Sequence, residues 1–100
     1  MIKHIVMWKL KDEAEGRSKQ ANALELKERL EALKGKVPDI VELEVGLQMG
    51  PDETASDVVL VTLFKDKAGL DNYQKHPDHQ MVIPFVKLIV SERRVVDYQI

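Results

Sequence analysis

Tyr73, His76 and His79 fall within the seven-residue stretch Tyr73-Gln74-Lys75-His76-Pro77-Asp78-His79, and His4 is the only other histidine in the chain. An imidazole with an ordinary pKa near ~6.5 exchanges protons at neutral pH. A tyrosine hydroxyl can hold a carbonyl or enolate oxygen. These residue types point to general acid–base work beside a carbonyl, with His79, Tyr73 and His4 as the candidate catalytic set. A plainer role stays open. His76 and His79 can simply satisfy backbone groups at a helix junction, and His4 can be a hydrogen-bonded core residue.

Other chemistries find less support. His76 and His79 stand three apart with Asp78 between them, a reasonable ligand set, but Pro77 breaks the single helical face that such spacing needs. No second cluster exists, so no metal site is expected. With no cysteine, disulfides, thiolate zinc sites and cysteine nucleophiles are excluded. Ser18, Ser56, Ser91, Thr54 and Thr62 lie in no nucleophile elbow. The glycines are isolated and form no phosphate loop. No cofactor is expected.

The elements that must position these side chains follow from periodicity. Met1 to Leu10 reads as a strand with Ile2, His4, Val6, Trp8 and Leu10 on one face. A helix is predicted from about Gly16 to Lys34, with Ala23, Leu26, Leu30 and Leu33 as its stripe and Gly35 as its stop. Ile40 to Gln48 alternates Val41, Leu43, Val45 and Leu47 with Glu42, Glu44 and Gly46, the pattern of a strand with one wet face. Val58 to Phe64 is a strand apolar on both sides except for Thr62. Asp66 can cap a helix carrying Leu70 and Tyr73, and Pro77 ends it at His76. Asp78 can cap the next helix, whose apolar face is Val82, Phe85 and Ile89 and which Pro84 should kink or restart. Arg94 to Ile100 is the last strand. If the His4 face looks toward the helices, His4 joins Tyr73 and His79 around a cavity lined by Val6, Trp8, Leu60, Val82 and Phe85, although core packing accounts for Val6, Trp8 and Phe85 as well.

The order β-α-β-β-α-β is that of a ferredoxin-like α+β domain spanning residues 1–100, with one antiparallel four-stranded sheet and helices on one face. The other face ought to be solvated, yet the first and third strands are apolar on both sides. Five outward aliphatic side chains at roughly 1.5 kcal/mol each contribute about 7 kcal/mol per subunit. Doubled, that rivals the roughly 4–15 kcal/mol cost of association. A two-fold homodimer with its sheets face to face is the expected result. A net charge of −2 without a long basic run argues against nucleic acid and acidic membranes as partners. The apolar runs are too short to span a bilayer. Lys3, His4 and Lys9 interrupt the N-terminal stretch, so no signal peptide is read there. A cysteine-free chain fits a reducing compartment, and a cytoplasmic location is expected.

Three stretches carry a resemblance: Ile2-Lys3-His4-Ile5-Val6-Met7-Trp8-Lys9-Leu10-Lys11, Tyr73 to His79, and Arg93-Arg94-Val95-Val96-Asp97-Tyr98. The chain resembles, along essentially its whole length, the stress-responsive α/β-barrel (Dabb, dimeric A/B barrel) family. The resemblance implies a homodimer whose two sheets form a central barrel with helices outside, of stress-response type and with a small apolar pocket. It also implies an alternative. A plant polyketide cyclase of the family closes its substrate by an aldol step without a cofactor, and His79, Tyr73 and His4 match its pocket residues. By that likeness His79 would abstract a proton beside a carbonyl of a small apolar compound while Tyr73 steadies the oxyanion. Two further polar residues of the cyclase fall at Leu26 and Val58 here, so the polar apparatus is thinner. A third reading is a structural assembly module with no ligand.

Overall fold

The computed structural model describes residues 1–100. Its centre is β1 (Ile2–Leu10), which pairs antiparallel with strands on both sides. β1 leads into a short hairpin, β2 (Glu13–Ala14) and β3 (Arg17–Ser18), and then into α1 (Lys19–Glu31). The predicted helix therefore starts late. Glu15 and Gly16 have φ of 55° and 72°, the left-handed pair that closes a two-residue hairpin, so Gly16 turns a hairpin instead of opening a helix. Ser18 caps α1 by accepting from the Ala21 amide at 3.2 Å. The Asn22 amide donates to the Ala14 carbonyl at 3.1 Å and ties hairpin to helix. Ala23, Leu26 and Leu30 are buried as the spacing requires. The helix tightens into a 3-10 turn over Ala32–Gly35.

β4 (Ile40–Leu47) and β5 (Val58–Phe64) follow, joined by a loop over residues 48–57. The register of β4 against β5 shifts between Ile40 and Glu42. This bulge puts Ile40 in the core and leaves Val41 in solvent, so Val41 does not share the face of Leu43 and Val45 as simple alternation predicts. α2 (Lys67–Lys75) is capped by Asp66, whose carboxylate accepts from the Gly69 amide at 2.9 Å. α3 (Pro77–Gln80), α4 (Ile83–Ile89) and β6 (Val90–Gln99) complete the chain. Pro84 sits in the first turn of α4, which restarts the helix as expected. The cap of α3 differs from expectation. The His76 imidazole accepts from the Asp78 amide at 3.1 Å, and Asp78 lies two positions past the cap, inside the first turn. β6 begins at Val90 and not at Arg94, because β1 pairs with it as far as Leu10, which lies opposite Val90 across a bulge at Ser91.

The sheet order is β4-β5-β1-β6, all antiparallel, which is the ferredoxin-like arrangement with its helices on one face. On that face the register forms rows, among them Leu43-Thr62-His4-Asp97, Val45-Leu60-Val6-Val95 and Leu47-Val58-Trp8-Arg93. The core of Val6, Trp8, Leu60, Phe64, Leu26, Leu30 and Tyr73 fills the space between sheet and helices. The opposite face carries Lys3, Ile5 and Met7 from β1, Val59, Val61 and Leu63 from β5, Glu42 and Glu44 from β4, and Arg94, Val96 and Tyr98 from β6. It has no layer of its own. No helix is long and apolar enough to cross a membrane.

Candidate functional site

The α2–α3 corner and the middle of β1 bring the three predicted side chains into one cluster. Tyr73 closes the last turn of α2 with its ring wholly buried, centroid 5.1 Å from Phe64 and 4.4 Å from His79. His4, on β1, meets the same tyrosine edge-on at 6.2 Å. Pro77 makes the corner, since the extended backbone it requires at His76 stops α2 and aims α3 back across Tyr73.

The two histidines are held differently. His79 is partly buried, and its Nδ1 lies 3.2 Å from the Gln74 carbonyl. A carbonyl only accepts, so Nδ1 carries the hydrogen and Nε2 keeps a free lone pair. Burial lowers the proton affinity of His79. The Gln74 carbonyl works against that effect, and the nearby charges of His4, Arg93 and His76 add to it. His79 is thus a neutral base at neutral pH. His4 is buried, and its Nδ1 is hydrogen-bonded to the Asp97 carboxylate. The carboxylate fixes the imidazole orientation from across the β1–β6 ladder. The Thr62 hydroxyl donates to the His4 carbonyl at 3.0 Å and secures the strand from the other side.

Tyr73 is the unusual member. Its hydroxyl is buried and has no hydrogen-bond partner. Burial pushes its pKa well above the ordinary phenol value, so it keeps its proton and offers a donor. The Trp8 indole nitrogen is likewise buried without an acceptor.

The expected lining residues occupy the core. Val6 and Leu60 are each 2% exposed, Trp8 5% and Val82 8%. Phe85 is half-buried under the Arg29 guanidinium, 4.1 Å above its ring. The three principal clefts, of about 750, 350 and 340 Å³, include neither His4, Tyr73 nor His79, and of the expected lining only Val82 borders one. Reasoning from sequence missed the role of Asp97 and the placement of Arg93. Both belong to a stretch already quoted for its resemblance. Their signal is the β1–β6 register, which sets Asp97 opposite His4 and Arg93 opposite Trp8. No group of three or more histidines and carboxylates stands where it could hold a metal ion.

A family model described as the stress responsive A/B barrel domain matches residues 2–100. Among solved structures, a dimeric ferredoxin-like protein of unknown function from Bacteroides fragilis is 32% identical, with 99% of this chain and 95% of that one covered at a TM-score of 0.87. A dimeric ferredoxin-like protein from Thermobifida fusca is 20% identical, with 99% and 90% covered at 0.84. A hydroxynitrile lyase from Passiflora edulis shares the fold at 19% identity, with 99% and 92% covered at 0.79. No curated protein matches the chain.

Proposed function

The chain belongs to the stress responsive A/B barrel domain family, and from that premise we propose that it works as a homodimer in which each Tyr73–His79 corner binds a small carbonyl compound and moves protons beside its carbonyl. The dimeric part rests on the sheet face that no helix of this chain covers, where Ile5, Met7, Val59, Val61 and Val96 retain exposed surface. It is supported by the dimeric Bacteroides fragilis structure. A second copy laid on that face removes the apolar surface from water.

One observation carries the chemical part: a buried tyrosine hydroxyl without a partner, in ring contact with a histidine whose Nε2 is free. A buried donor left unbonded costs roughly 1–3 kcal/mol, so the site favours an occupant that supplies an oxygen. A carbonyl compound does so. His79 Nε2 takes a proton from the carbon next to the carbonyl, the electron pair moves onto the oxygen, and the Tyr73 hydroxyl donates to that enolate. Return of the proton from His79 completes the cycle. His4, held by Asp97, is a polar wall on the far side of Tyr73. The fold carries enzyme chemistry in the Passiflora edulis protein, although that likeness extends to the fold alone.

The close packing of Val6, Trp8 and Leu60 favours a second reading, in which the domain serves assembly and takes no ligand. Proton NMR of small ketones in D2O separates the two. The proposal expects the protein to speed deuterium incorporation beside the carbonyl, and His79→Gln to abolish it while the dimer persists. Incorporation at the buffer rate across a broad ketone panel, or unchanged in His79→Gln, overturns it in favour of the assembly reading.

A further inference from the structure

We infer that Arg93 is the specificity residue of the Tyr73–His79 corner and that the carbonyl compound it selects is an oxo acid, whose carboxylate pairs with the Arg93 guanidinium while its ketone meets Tyr73 and His79. This names the substrate class of the site proposed above and rests on that reading.

The β1–β6 register sets Arg93 directly opposite Trp8, so its side chain leaves the sheet on the helix face. That face also carries His4 and receives Tyr73 and His79. This edge of the sheet is open, since every residue of β6 after Val90 is exposed. Same-face positions of a strand follow one another at roughly 7 Å, and Arg93, Val95 and Asp97 therefore mark out a strip along the flank of the site. The strip has a cation at one end and an aliphatic floor in Val95. At the other end stands a carboxylate already engaged with His4.

The cation is unclaimed. Arg17, Arg29 and Arg94 each stand against a carboxylate, at 3.5, 3.1 and 3.6 Å. Arg93 has none, because its neighbour Glu92 lies on the outer face with Arg94. Its row partner Trp8 adds a donor, Nε1, that is buried without an acceptor, as is the Tyr73 hydroxyl. A carboxylate only accepts, and a guanidinium meets it with two parallel N–H donors. Charge also orients the ligand. At the Asp97 end a carboxylate would face a like charge, so the acid end lies at Arg93 and a short apolar chain over Val95 carries the ketone toward the corner. The Arg93 charge is near enough to His79 to lower its proton affinity. A bound carboxylate neutralises that charge, so the base regains strength when an acid substrate is present.

Levulinate, its homologue longer by a methylene, and the methyl ester of each are compared in the D2O exchange assay, with ligand-observed NMR reading binding separately. The acids are expected to exchange roughly ten- to hundredfold faster than their esters at limiting concentration, the worth of a charge-assisted hydrogen bond. In Arg93→Gln the acid-to-ester ratio of kcat/KM is expected to fall to about one, through a raised KM for the acids. Arg93→Lys keeps part of the ratio, as a cation without the planar fork. Arg94→Gln removes the same charge from the outer face and is expected to keep the full ratio, which separates a local contact from an effect of net charge. Acid and ester exchanging alike in the natural protein, or an acid preference that survives Arg93→Gln, overturns the assignment and leaves the His79 base standing. Exchange of neither compound, with levulinate binding that is lost in Arg93→Gln, removes the base and keeps the carboxylate site. Without exchange and without Arg93-dependent binding, both fall.

Discussion

Replacing Tyr73 with phenylalanine isolates the one hydroxyl on which the proposed chemistry turns. The ring itself is wholly buried between Phe64 and His79, and Phe keeps every one of those contacts. What leaves is an oxygen that is buried and makes no hydrogen bond. A buried hydroxyl without a partner forfeits roughly 1–3 kcal/mol of hydration that folding does not return. Tyr73→Phe is therefore expected to stabilise the protein by about 1–2 kcal/mol, against the general run of core substitutions, which destabilise. For a domain of this size each kcal/mol raises the melting temperature by roughly 4–8 °C. It also moves the urea midpoint upward by an amount on the order of 1 M, with an unchanged slope. Both variants are measured at one protomer concentration, since a dimer's apparent stability depends on it. Carbonyl proton exchange is expected to fall in the same variant. A lowered urea midpoint would show that the hydroxyl is bonded in solution, and the argument that it waits for a substrate oxygen would fail.

Two further outcomes follow from the geometry. His79 has its proton affinity lowered in the fold, chiefly by burial, so between its folded pKa and the unfolded value near ~6.5 the unfolded chain binds more protons. Stability is accordingly full above that unfolded value and is lost as pH falls through the window. NMR titration of the ring should give a midpoint below ~6.5, and His79→Gln should flatten the dependence of the urea midpoint on pH between about 7.5 and 5; an unchanged profile would assign it to another group. Val61→Lys places a charge in the middle of the uncovered sheet face, beside Ile5 and away from the core. It is expected to yield a folded monomer in sedimentation, with circular dichroism unchanged, whereas a dimer of natural strength would show that this face is not the interface.

Several elements were legible because one local rule determined each. The alternation of β1 puts His4, Val6, Trp8 and Leu10 inward, and they are buried. Val58–Phe64 is a strand at the bounds its β-branched run implies, and Pro77 and Pro84 punctuate the helices as their fixed φ demands. The misreadings arose where two local rules competed. Gly16 follows a charged run that suits a helix start, but a left-handed pair closes a hairpin there first. Asp78 and His76 both suit a cap, and Pro77 awards it to His76 by taking the first helical position. Val41 fits its neighbours' alternation until a bulge shifts the register.

Residue types gave three histidines able to exchange protons at neutral pH and a neighbouring tyrosine able to donate to an oxygen, and the family resemblance singled out His4, Tyr73 and His79 among them. The tertiary structure alone decided how they stand. It gave His79 a carbonyl that frees Nε2, gave His4 the carboxylate of Asp97 from the far end of the chain, and left Tyr73 with nothing to bond. Periodicity tells which way a side chain points relative to its own strand or helix. Which distant backbone lies alongside depends on sheet order and register, and these are set by the burial of all the strands together.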